Sequence, residues 1–123
     1  MTPIEELRHL IKGNISQIPQ FIAGSNSTDK FVWTQLQSII QEIYKLTNEA
    51  ILKDQRIDAL VYNTNVSIDW ISDTITDPDI EDQIYQLVIV SLENYLRVAT
   101  DLELYEVSSN MLRFKTKFIN DAK

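Results

Sequence analysis

Apolar residues recur along this chain at three- and four-residue spacing, the period of a helix that buries one face. Ile4, Leu7, Leu10 and Ile11 set the first stripe. Thr2-Pro3-Ile4-Glu5 opens it with an N-cap, a proline at the first helical position and the acid of a capping box. Lys12-Gly13 closes it with a basic last turn and a stop. A short amphipathic helix covering a bundle is predicted. Ile15, Ile18, Phe21 and Ile22 are expected to pack inward, with Pro19 limiting any helix there. Gly24-Ser25-Asn26-Ser27-Thr28 reads as a loop in which Ser27 or Thr28 caps the next element.

From Asp29 to Thr76 there is no Gly or Pro, and Leu36, Ile39, Ile43, Leu46, Ala50, Ile57 and Leu60 keep one face apolar. A single helix of that length would span roughly 70 Å, too long for a compact domain of this size. It must break or extend into a partner, and the second outcome makes a homodimer an expectation. Two polar stretches offer a break, Lys53-Asp54-Gln55-Arg56 and Asn63-Thr64-Asn65-Val66-Ser67. The second is favoured, because Ile57, Leu60 and Val61 carry the period past the first.

After Asp77-Pro78, the residues Ile84, Leu87, Val88, Tyr95, Val98 and Leu102 form a new stripe, and Leu87 to Val90 is apolar on every side. This predicts a central helix. Leu104, Val107, Met111, Phe114 and Phe118 form another stripe, in which Met111 stands about half a turn out of phase with Leu102. A kink or break is therefore expected near Val107-Ser108-Ser109-Asn110.

With two Gly and three Pro, the chain has too few turn residues for a sandwich or barrel. The expected fold is all-α, an antiparallel bundle of four or five helices in a single domain over residues 1–123. Within it, 1–23 holds the N-terminal helix and connector, 28–76 the long or broken segment, and 77–121 the C-terminal helices. The absence of Cys excludes disulfides, thiolate chemistry and zinc-finger sites. No apolar stretch approaches the roughly 20 residues that cross a bilayer, and the N-terminus lacks a basic-then-apolar signal pattern. No membrane association and a cytoplasmic location are expected.

Charge changes the picture more than composition does. The net charge of −7 argues against direct binding of nucleic acid, which rests on cationic surface. Between Arg56 and Arg97 there is no basic residue, while Asp58, Asp69, Asp73, Asp77, Asp79, Glu81, Asp82 and Glu93 all lie there. Arg113, Lys115 and Lys117 concentrate positive charge near the C-terminus, where cations complement a helix dipole.

Few constellations could carry chemistry. His9 is the only histidine, and Glu6-x-x-His9 occurs once, so a di-iron carboxylate site cannot be assembled within one chain. Gly13 and Gly24 are isolated, so no phosphate-cradling loop exists. A calcium loop starting at Asp77 fails at its sixth position, Asp82 instead of Gly, and at its twelfth, Val88 instead of Glu. No cofactor is expected. Asp79-x-x-Asp82 and Glu103-x-x-Glu106 each place two acids one turn apart on a helix. This pattern resembles the paired carboxylate helices of the all-α nucleotide pyrophosphohydrolases. The resemblance implies Mg²⁺ held by Asp79, Asp82, Glu103 and Glu106 as an enzyme alternative. It covers those four positions alone, the first pair is Asp instead of Glu, and the acidic segment offers no Lys or Arg for phosphates.

The leading expectation is a non-enzymatic binding protein or inhibitor, docking a basic protein partner through its acidic face. The residues expected to bind are Asp69, Trp70, Asp73 and Asp77. Asp77-Pro78-Asp79-Ile80-Glu81-Asp82 also reads as a helix start, with Asp77 as N-cap, Pro78 at the first position and acids facing the positive dipole end. Asp69 and Asp73 have no such explanation. They stand four apart near the C-terminal end of the preceding helix, where negative charge is unfavourable. A helical assembly subunit that pairs with copies of itself is the third expectation.

Overall fold

Thr2 caps the first helix as its sequence predicts: its Oγ1 accepts from the Glu5 N–H at 3.3 Å, and its carbonyl from the Glu6 N–H at 3.0 Å. The computed structural model describes residues 1–13, 30–48, 50–75 and 77–121. Among them are α1 (Pro3–Gly13), α2 (Lys30–Tyr44) with a 3-10 turn (Lys45–Thr47), α3 (Asp54–Thr74), α4 (Ile80–Asp101) and α5 (Tyr105–Asp121). The described residues form an all-α bundle of five helices. No described helix is long and apolar enough to cross a membrane. The expectations for Ile15, Ile18, Phe21, Ile22 and the 24–28 loop lie outside the described residues.

The 29–76 segment breaks at 45–53, not at Asn63–Ser67, so it folds back as the antiparallel pair α2 and α3. This corrects the favoured break and removes the extended helix on which the homodimer rested. The polar run fails to break α3 because tertiary contacts absorb it. Thr64 is fully buried and donates to the Leu60 carbonyl at 2.8 Å. Asn63 donates to Glu42 Oε2 on α2, and Asn65 Oδ1 accepts from the Tyr85 hydroxyl on α4 at 2.8 Å. Tertiary satisfaction here overrides weak helix propensity.

The connector breaks because α5 holds it. Asn110, fully buried, accepts from the Leu52 N–H at 2.9 Å and donates to the carbonyls of Leu46 and Ala50 at 3.2 and 2.6 Å. Val107-Ser108-Ser109-Asn110 consequently lies inside α5, and the break expected there falls at Leu102-Glu103-Leu104 instead. Glu103 adopts φ 62°, with the Leu104 N–H bonded to the Ala99 carbonyl and the Glu103 N–H to Thr100. This is a Schellman closure made without glycine, so the sequence carried no stop signal there.

Leu36, Ile39 and Ile43 of α2, Leu60, Ile68 and Ile71 of α3, Ile84, Leu92 and Tyr95 of α4, and Met111, Phe114 and Phe118 of α5 form one buried cluster. Leu7 and Ile11 of α1 complete it, packed against α2 and α4. Asp54 pairs with Arg113, and Asp58 with Lys117 one turn on, so α3 and α5 run parallel. Lys115 reaches Glu93 on α4 at 3.3 Å. The C-terminal cations thus neutralise neighbouring helices, and none of them lies in the last turn of α5, where the dipole would favour it.

Candidate functional site

The parallel register of α3 and α5 decides where charge stays uncompensated. Arg113 and Lys117 serve the N-terminal half of α3, but α5 ends at Asp121, in register with Tyr62. α3 runs on for about three further turns with no cation from α5 beside it. Asp69 and Asp73 lie on that extension, both exposed, and neither forms an ion pair among the described residues. Lys30, at the start of α2, reaches the same end of the bundle and pairs with neither.

Asp77 has a local role. Its Oδ1 accepts from the Asp79 N–H at 2.9 Å and its carbonyl from the Ile80 N–H at 3.2 Å, a turn that leads into α4. α4 starts at Ile80 with Asp79 as N-cap, two residues later than the sequence predicts, because Pro78-Asp79 forms this turn. Glu81 and Asp82 occupy the first turn of α4, where the dipole favours them.

The electrostatics of this end register on Tyr85. Its hydroxyl is held above the usual value by burial first, then by the carboxylates of Glu81, Asp69 and Asp121. A folded pKa above the unfolded one contributes stability that is fully present below about pH 10 and lost as pH rises through the folded value. Tyr85→Phe is therefore expected to flatten part of the alkaline stability loss above pH 10, followed by urea midpoints. At neutral pH it is expected to cost about 1 kcal/mol for the bond to Asn65.

Trp70 projects from α3 beside the two acids and is 50 % exposed, with Phe31 of α2 against it at 6.3 Å between ring centroids. A groove of about 320 Å³ runs between α2 and α3, lined by Gln35, Ser38 and Glu42 on one side and Tyr62, Asn63, Ser67 and Trp70 on the other. Glu42 fixes one end, accepting from Lys45 at 2.8 Å and from Asn63 at 3.3 Å. Tyr62, 68 % exposed, stands over that end, and Trp70 over the other. Sequence reasoning missed this groove, since Gln35, Ser38 and Ser67 carry no motif and meet only when α2 folds back on α3.

The four carboxylates of the enzyme alternative do not come together. Asp79 and Asp82 sit at the start of α4, whereas Glu103 and Glu106 lie beyond its end, so roughly 30 Å of helix separates the pairs. A shared Mg²⁺ needs its ligands within a few Å of one ion. Among the described residues no group of three or more His, Cys, Asp or Glu side chains could hold a metal. The two pairs therefore form no common metal site among the described residues. No protein-family model matches the chain, and neither the curated proteins nor the solved structures yield a match.

Proposed function

We propose that this chain is a protein-binding module whose partner presents a basic surface to the C-terminal half of α3. The observation that carries the reading is the uncompensated pair Asp69 and Asp73 flanking a half-exposed Trp70. Each of these costs stability or solubility in the isolated chain. Acids near a helix C-terminus oppose its dipole, like charges four apart repel, and a large aromatic half in water forfeits burial. Aromatic residues ringed by charge are characteristic anchors of protein interfaces, and carboxylates without internal partners steer cations in. An inhibitor that occupies a cationic groove on another protein fits this chemistry. Asp77 contributes charge at the rim, although its carboxylate is engaged in the turn before α4.

The test is capture from the native host on immobilised protein, followed by affinity measurement with the purified partner. The partner's affinity is expected to fall at least tenfold between about 0.05 and 0.3 M salt, as the Debye length shrinks past the spacing of the paired charges. Salt-independent binding would argue for an apolar contact elsewhere and against this surface.

A further inference from the structure

We infer that the end of the α2–α3 groove beneath Trp70 is a socket for one arginine side chain presented by the partner. This rests on the reading of α3 as a docking surface, and it names the chemistry of the contact.

Two register points fix the groove: Phe31 lies against Trp70 near one end, and Glu42 bonds Asn63 at the other. Gln35 and Ser67 therefore face one another between α2 and α3, close to the Trp70 end. Gln35 is 6 % exposed and Ser67 also 6 %, and both line the groove. Neither side chain makes a hydrogen bond with a described residue, whereas the next polar residues along the groove, Asn63 and Glu42, bond each other. Neither polar head is sealed from water, since the one buried side-chain polar atom without a partner among the described residues is Ser72 Oγ, so both stay open at the groove floor to bond a group that enters it.

Three properties of this socket select the ligand. The Gln35 Oε1 and Ser67 Oγ offer acceptors to a donor-rich group. The Trp70 ring offers a π-face, on which a guanidinium is held in preference to an ammonium. Asp69 and Asp73 do not line the groove, but they flank Trp70 in the chain and supply net negative charge to this part of α3, unmatched by any described cation in an ion pair. The Glu42 end is a poorer seat, because Lys45 already occupies one of its carboxylate oxygens. The groove is at the lower limit of small-molecule pocket volumes, which suits a single side chain better than a cofactor.

The experiment is an NMR titration of the whole protein with the peptide acetyl-Gly-Arg-Gly-amide and its citrulline counterpart, which keeps the shape and removes the charge. The expected result is saturable shifts of the Trp70 indole N–H and the Gln35 side-chain amide, with the Trp33 indole as an unaffected internal reference. Citrulline is expected to bind at least about tenfold more weakly, as is arginine to Gln35→Leu, since a charge-assisted bond is lost in each. Equal binding of the two peptides, shifts confined to other residues, or full affinity in Gln35→Leu with its spectrum otherwise intact would each overturn the socket. The broader reading is tested separately. Partner binding that vanishes on reversal of Asp69 and Asp73 but ignores Gln35→Leu leaves the docking surface standing without the socket. Partner binding indifferent to the reversal removes the surface itself.

Discussion

Replacing Asn110 by Ala is expected to destabilise the fold by about 3 kcal/mol or more, measured as a shift in the urea midpoint at constant slope. The size follows from what the side chain holds. Its Oδ1 accepts from the Leu52 N–H and from Arg113, both at 2.9 Å, and its Nδ2 donates to the Leu46 and Ala50 carbonyls. Truncation removes these together and leaves the Leu52 N–H, on a residue 3 % exposed, without its partner. Each buried group so orphaned costs about 1–3 kcal/mol, with incomplete additivity among neighbours. Leu112→Ala on the same helix, at a site 51 % exposed, is the contrast and is expected to change stability by no more than about 0.5 kcal/mol. A change below about 1 kcal/mol for Asn110→Ala would mean that the connector between α2 and α3 is held by something else.

The second large effect is on binding and has the opposite sign for stability. Asp69→Lys with Asp73→Lys reverses both charges on the part of α3 that α5 does not reach. The folded chain is expected to gain a few tenths of a kcal/mol, because cations near a helix C-terminus complement its dipole and the repulsion between the two acids disappears. Affinity for a basic partner is expected to fall on the order of 100-fold at low salt, since attraction becomes repulsion at both positions. Stability rising while binding collapses is the behaviour of a surface retained for recognition at the expense of the fold. A loss of stability together with binding would instead make the two acids structural.

The helical stripes were legible because burial follows the 3.6-residue period regardless of partner: Leu7, Ile11, Leu36, Ile39, Ile43, Leu60, Ile84 and Phe118 are all buried. The breaks were not legible, and for one shared reason. Asn63 to Ser67 looked like a break but is satisfied by Glu42 and Tyr85, residues about 20 positions away in either direction. The true break at 45–53 is imposed by Asn110, 58 positions from the Leu52 it binds. The closure at Glu103 uses a left-handed residue that is not glycine. In each case a long-range or conformational term outweighed local propensity, and no window on the sequence contains that term. The candidate site divides in the same way. Asp69, Trp70 and Asp73 could be singled out from charge order alone, because acids without nearby bases and near a helix end stand out. Gln35 and Ser67 could not, since they share a groove only once α2 and α3 are folded together.

The most direct test of the central claim is a comparison of three proteins against one purified basic partner from the native host, at about 0.05 M salt: the unaltered chain, Asp69→Lys/Asp73→Lys, and Glu5→Lys/Glu6→Lys. The two variants carry the same net charge, but Glu5 and Glu6 lie exposed on the first turn of α1, away from α3. If the C-terminal half of α3 is the docking surface, the α3 reversal abolishes measurable binding while the α1 reversal weakens it only a few-fold, through the long-range field. Equal losses in the two variants would show that net charge alone attracts the partner, and would contradict the assignment of binding to Asp69, Trp70 and Asp73.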